Sequence, residues 1–297
     1  MDQVGAVRNH LSRPINSSIL PSIADMMRLR DLVRKPLPHL CAREAFVLRA
    51  LMLPNLLLAR VEGSEFLEAS GASLSGPFIF AFNHNNVFES LFVPVLLMFL
   101  LGGMRISYVI DWMFGHLPLI GRLMNLIDPV FACHKPCTLP FIERRRPKNR
   151  KGVLEQCLLR LDAGGSIGIF PEGRRNRDPF ALLRAKSGIG HMALMSGAPV
   201  IPVGIRFTAS ARLGRAPLVG RMVVGFGKPM HFGEMSRAYS SCIDAGSRLG
   251  ANRLAEAVAV EVMRAIAGLC GKAYRHDPQC VDEVIITRQT TEARCPV

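Results

Sequence analysis

From residue 76 onward, short runs of bulky apolar residues alternate with longer helical stretches, and this alternation limits the possible folds more than any other feature. Strand-like runs fall at 78–82, 106–110, 140–143, 167–170, 200–205 and 222–226, and helical spacing at 89–101, 151–163, 188–196 and 251–268. Strands fed by helices in this order build an α/β domain, a central largely parallel sheet flanked by helices. In such sheets ligands gather at the carboxyl ends of strands. A chain of 297 residues, 49% of them apolar, can bury a core of that size.

Two of the strand exits carry chemistry. Asn83-His84-Asn85-Asn86-Val87-Phe88-Glu89 follows the run 78–82, and Phe170-Pro171-Glu172-Gly173-Arg174-Arg175-Asn176-Arg177 closes the run 167–170. On one continuous helix His84 and Glu89 would sit roughly 140° apart and would not meet. They meet if His84 lies in the loop and Glu89 in the first helical turn, with Asn85 or Asn86 as N-cap. A carboxylate on one imidazole nitrogen fixes the tautomer and leaves the other nitrogen to take a proton. Helix-terminal amides beside the pair are candidates to hold an oxyanion. A His and an acid at this spacing are more often a surface pair of little consequence. Here the position between a strand and a long apolar helix favours a functional pair. In the second block, planar guanidinium forks at a strand exit suit phosphate. A base in one block and an anion clamp in the other point to acyl transfer from a phosphate-bearing donor.

Charge narrows the partners. Against 23 acidic residues stand 37 Lys and Arg, a net +14 that favours a membrane surface, CoA or an acidic carrier protein. Nucleic acid is excluded as a partner, because three tyrosines, one tryptophan and no base-reading motif leave nothing to read it with. The eight cysteines follow no framework spacing and read as reduced thiols. Cys133-His134-Lys135-Pro136-Cys137 is half a zinc site without its second half, so no metal is expected. Residues 1–16 lack the apolar core of a signal peptide. The longest uncharged run, 90–104, falls short of the roughly 20 residues that span a bilayer. The expected organisation is a basic lead-in at 1–36, N-terminal amphipathic helices at 37–75, the catalytic domain at 76–272 and a polar tail at 273–297. Within 40–61, Pro54 separates two short helices with apolar faces and basic flanks, suited to lie in a headgroup layer or to pack on the main domain. The chain is expected at the cytoplasmic face of the membrane, peripheral or monotopic.

With both blocks in order, the chain resembles the PlsC-type glycerolipid acyltransferases, of which 1-acylglycerol-3-phosphate acyltransferases are the example. The resemblance covers residues 75–230 and rests on four ordered motifs. They are Asn83-His84-x4-Glu89, Phe141-Ile142-Glu143-Arg144, Phe170-Pro171-Glu172-Gly173-Arg174-Arg175-Asn176 and Pro199-Val200-Ile201-Pro202-Val203-Gly204. Lys186-Ser187-Gly188 matches a Lys-x-Gly that follows the third. The resemblance implies a PlsC-like fold with a membrane-associating N-terminal segment, and His84 as general base oriented by Glu89. It implies that Arg144 and Arg175 hold phosphate, with Arg174 enlarging the cluster and Lys186 near it, and that Glu172 and Gly173 shape the acceptor pocket. It implies no metal, no cofactor and no acyl-enzyme. The co-substrate would be acyl-CoA or acyl carrier protein, and the acceptor a lyso-lipid in membrane phospholipid synthesis.

Three departures bear on the acceptor. Glu89 stands where the family has Asp, Arg174 where it has Thr, and Ile110-Asp111 where it has Ala-Lys, with extra chain near 126–139. Arg105 is the candidate to supply the missing positive charge. These changes point to an unusual acceptor, an amine- or sugar-bearing lipid being the alternative. A non-catalytic module that binds lipid or carrier protein is the alternative from another class. The apolar stretch 91–101 either lines an acyl channel or packs as ordinary core.

Overall fold

The computed structural model describes residues 30–69, 76–86, 89–116, 128–133, 136–146, 151–207, 212–213, 216–217 and 222–276. Residues 1–29 of the expected lead-in, 277–297 of the expected tail, and 147–150 of the basic run lie outside the described residues. After the helical residues 30–34 come α1 (Ala42–Leu58), β1 (Ala59–Glu62), α2 (Glu65–Ala69), β2 (Ile79–Phe82) and α3 (Glu89–Leu100). Next are β3 (Ile106–Asp111), a 3₁₀ turn (Trp112–His116), β4 (Val130–Ala132), α4 (Pro140–Glu143), α5 (Val153–Asp162), β5 (Ser166–Ile169) and α6 (Gly188–Ser196). The order ends with β6 (Val200–Phe207), the small strands β7 (Arg212–Leu213) and β8 (Ala216–Pro217), β9 (Met222–Phe226), α7 (Gly233–Asp244) and α8 (Arg248–Cys270).

Seven strands form one sheet in the order β1-β9-β6-β2-β5-β3-β4. Five of its six pairings are parallel and only β6–β9 is antiparallel, so β1 and β9 run against the rest. The pleat sorts β2 onto two faces. Phe80 and Phe82, with Phe78 just before them, pack with Leu48 and Met52 of α1 and Val93 and Leu97 of α3. Ile79 and Ala81 face Cys157 of α5, Ile189 of α6 and Val258 and Val262 of α8. The expected α/β sheet flanked by helices is therefore present.

α3 buries Val93, Val95, Leu96, Leu97 and Met98 between the sheet and α1. A helix apolar on all sides belongs in a core, and this one is core. α8 runs long, with Ser247 Oγ accepting from the Gly250 amide at its start and Gly271 at φ +70° closing its end. Its last turn lies so close to β6 that a Cβ on Gly204 would sit 2.4 Å from Leu269 Cβ. Glycine at 204 thus delivers the C-terminal end of α8 to the edge where β2 exits.

Several expectations are corrected. Residues 140–143 are a helical turn, not a strand, because Pro140 at the first helical position and Glu143 accepting from the Cys137 amide (2.7 Å) favour a turn. The edge strand is instead β4, Val130–Ala132, inside the segment read as extra chain. Residues 42–58 form one helix that carries Pro54 within it, not two. The strand that follows, β1, pairs with β9, so the sheet begins upstream of residue 76.

Candidate active site

The register of the two central strands sets up the site. Ile79, Phe80 and Ala81 pair with Ile167, Gly168 and Ile169, and two residues past its strand His84 comes level with Glu172. The His84 amide donates to Glu172 Oε1 at 3.0 Å, and the Leu183 amide donates to Oε2 at 2.9 Å. From the same loop, the Asn176 amide donates to the His84 carbonyl at 2.7 Å. Both backbone polar groups of His84 are thereby pinned by the second block. The imidazole lies on the Phe170 ring, with centroids 4.5 Å apart.

Glu89 is fully buried and sits 2.8 Å, through Oε1, from His84 Nδ1. An ionised carboxylate only accepts, so the proton on the ring belongs on Nδ1, and Nε2 is left with a lone pair able to accept a proton. Oε1 also accepts from the amides of Asn85 and Asn86 (3.0 Å for the latter), and Oε2 accepts from Asn85 Nδ2 at 3.0 Å. In return Asn86 Oδ1 accepts from the Glu89 amide at 3.2 Å. Asn86 and Glu89 thus make the reciprocal bonds of a capping box, a motif that calls for Glu three residues after the cap. This accounts for Glu where the related motif has Asp, since the added methylene lets the carboxylate reach back over the turn. Of the helix-terminal amides expected to hold an oxyanion, those of Asn85 and Asn86 are spent on Glu89, and those of residues 87 and 88 lie outside the described residues.

Asn83, fully buried, continues the sheet through its side chain. Its Oδ1 accepts from the Ile205 amide at 2.6 Å and its Nδ2 donates to the Ile205 carbonyl at 2.9 Å. Gly173 takes φ +65°, and a Cβ there would meet Lys186 Cε at 2.7 Å, so the lysine stem crosses the turn against bare backbone. The side chains of Arg174, Arg175 and Lys186 are exposed. Among the described residues neither arginine makes an ion pair.

The structure therefore gathers His84, Glu89, Glu172, Gly173 and Lys186, with Arg174 and Arg175 on the same loop. Arg144 is exposed at the end of α4, in the segment of chain that follows the edge strand β4. From β2 to β4 is three strand spacings, roughly 14 Å. Arg105 precedes β3, at the end of the parallel strands opposite to His84, and pairs with Glu44 of α1, so it does not replace the missing lysine. Among the described residues no cluster of His, Cys, Asp or Glu could hold a metal ion.

One residue of the site was missed by sequence reading. Lys272, just past α8, donates through Nζ to Asn85 Oδ1 at 2.6 Å and to the Asp178 carbonyl at 2.8 Å. The residues after it are also tied in. Ala273 exchanges backbone bonds with Phe180 and Leu182 (2.8 and 2.9 Å), and Tyr274 Oη accepts from the Ala185 amide at 3.3 Å. A tail beginning at 273 is thus corrected for these residues. Polar residues after a helix-ending glycine gave no sign of it.

No curated protein matches the chain significantly. Among solved structures it is similar to the 1-acyl-sn-glycerophosphate (LPA) acyltransferase, PlsC, from Thermotoga maritima. The identity is 19% and the TM-score 0.46, over 81% of this chain and 80% of that one. Residues 59–206, which run from β1 to the end of β6 and hold both blocks, match the family model described as Acyltransferase, and the chain belongs to that acyltransferase family.

Proposed function

We propose that the chain moves a fatty acyl group from acyl-CoA or acyl carrier protein to a lyso-lipid, 1-acylglycerol-3-phosphate or a relative of it. The observation that carries this reading is the 2.8 Å bond from His84 Nδ1 to the fully buried Glu89. Nε2 takes the proton of the acceptor hydroxyl as its oxygen attacks the thioester carbonyl. The tetrahedral intermediate collapses, the C–S bond breaks, and the thiolate leaves with the proton returned from His84. Arg174, Arg175 and Lys186 supply the positive charge for a donor or acceptor phosphate. The test is thiol release from palmitoyl-CoA and acyl carrier protein with lysophosphatidic acid, lysophosphatidylcholine and lyso-ornithine lipid offered in parallel. Release with lysophosphatidic acid supports the reading. Release only with the ornithine lipid selects the amine-bearing alternative, and none with any acceptor sinks both.

The acceptor is proposed to reach the enzyme from the cytoplasmic face of a membrane. No described helix is long and apolar enough to cross one. The outer side of α1 instead exposes Phe46 (73%) and Leu53 (48%), beside Val33 (64%) of the helical residues 30–34. Exposed Arg30, Arg34 and Arg43 flank them. A cavity of about 660 Å³ opens between these helices and the end of α3, lined by Leu56, Leu96 and Phe99 together with Asp31, Arg34, Lys35 and Arg60. An apolar lining with three cations against one acid suits an anionic amphiphile. Phe46→Asp is expected to weaken flotation with phosphatidylglycerol vesicles about tenfold, as removal of one inserted aromatic should. Binding of wild type should fall with added salt. Unchanged flotation on both counts would remove the membrane role of α1.

A further inference from the structure

We propose that Lys272 is a positioning residue for the His84–Glu89 pair, acting through the side-chain amide of Asn85. It lies outside the segment matched by the family model and outside both motif blocks. The inference rests on the reading of His84 as the base.

The geometry is a chain of three hydrogen bonds. Lys272 Nζ donates to Asn85 Oδ1 at 2.6 Å, and Asn85 Nδ2 donates to Glu89 Oε2 at 3.0 Å. Glu89 Oε1 in turn holds His84 Nδ1. An ammonium has donors only, so it dictates which end of the Asn85 amide is oxygen. The NH2 end must then face Glu89 and the Ile205 carbonyl, which it meets at 3.1 Å. Asn83 Nδ2, at 3.3 Å from the same Oδ1, enforces the same orientation. Donation from a cation also polarises the amide and strengthens the bond it makes to Glu89. The second bond of Lys272, to the Asp178 carbonyl, ties this arrangement to the loop that holds Glu172 and the arginines. The backbone brackets Lys272 between the α8 cap at Gly271 and the Ala273–Ala181 bridge, so the ammonium is aimed rather than free to wander.

The lysine also brings a charge to the buried pair. The ionisable groups on the elements around His84 include Glu89 on α3, Glu172, Arg174, Arg175, Arg177 and Asp178 on the loop after β5, Lys186 after that loop, Arg206 on β6, which pairs with Glu62 of β1, and Lys272 and Arg275 after α8. Glu172 faces two backbone amides, and the Asp178 carboxyl is held below the usual carboxylate range by the amides of Phe180 and Ala181. Lys272 is the cation bonded into the Asn85–Glu89 network. It opposes the added positive charge when His84 is protonated, so its removal makes protonation easier.

The test is an NMR titration of the His84 imidazole, assigned by its loss in His84→Ala, in full-length wild type and three variants. Lys272→Gln keeps a donor and removes the charge, Lys272→Met removes both, and Lys272→Arg keeps both. Gln and Met are expected to raise the titration midpoint by about half a pH unit, and Arg to leave it in place. With whichever acceptor supports thiol release, kcat should fall about fivefold to tenfold for Met, with KM within twofold. In a double-mutant cycle Lys272→Met should add little to Asn85→Leu. A midpoint unmoved in both neutral variants would overturn the proposal and leave Lys272 as a loop staple that shows only in Tm. Additive losses in the cycle would overturn the route through Asn85. Should Met fail to fold, Gln carries the titration alone. Failure of the base reading is seen separately, as thiol release that survives His84→Ala.

Discussion

His84→Ala should lower acceptor-dependent thiol release about a thousandfold, with KM and Tm little changed. A positioned general base is worth roughly 10²–10⁴ in rate, and His84, proposed as that base, is held by its backbone as well as its ring. The side chain is largely covered, at 17% exposure, and among the described residues its one polar contact is to Glu89. Removing it does not orphan that carboxylate. Glu89 keeps the amides of Asn85 and Asn86 and the side chain of Asn85 as donors, so a buried charge stays satisfied and the fold loses little. The backbone clamps on His84 do not depend on the imidazole at all. Loss of rate with stability retained is therefore the expected signature, read by thiol release and thermal melting on one preparation. Turnover within tenfold of wild type would remove His84 from the chemistry.

Much of this arrangement was legible in the sequence. β2 reads Ile-Phe-Ala-Phe and β9 Met-Val-Val-Gly-Phe, apolar on both faces as strands covered on both sides are, and the helices between them carry helical spacing. The pairing of His84 with Glu89 followed from loop and first-turn positions, because a loop frees the pair from helical geometry. What stayed hidden had physical reasons. β4 is three residues long and reads Val-Phe-Ala, too short for any period to show. Pro-Phe-Ile-Glu at 140–143 fits a strand or a helical turn equally by pattern, and proline at the first helical position decides it. Lys272 is 187 residues from Asn85, and no local signal marks a contact made by the packing of α8 on β6. For Glu172 the resemblance implied a part in shaping the acceptor pocket. Its partners show only once β2 and β5 are laid side by side.

That placement of Glu172 leads to the second large effect. Glu172→Ala should lower both Tm and turnover, where His84→Ala lowers turnover alone. The carboxylate is 3% exposed, with one oxygen on the His84 amide and the other on the Leu183 amide. Bonds to a charged acceptor contribute about 1.5–3 kcal/mol each, so losing both removes about 3–5 kcal/mol once water partly refills the space. In a chain of this size that is a drop in Tm of roughly 10 °C. The rate follows from position. His84 enters the site from a loop pinned by Glu172 at its N–H and Asn176 at its carbonyl. With one pin gone, a shift of about 1 Å between base and acceptor costs on the order of a hundredfold. Glu172→Gln should fall between, because one oxygen still accepts while its NH2 faces an amide donor. The ordering Glu, Gln, Ala in both Tm and kcat is the expected result, from melting curves and thiol release. A Glu172→Ala enzyme with wild-type Tm and raised KM alone would instead put this carboxylate on the acceptor.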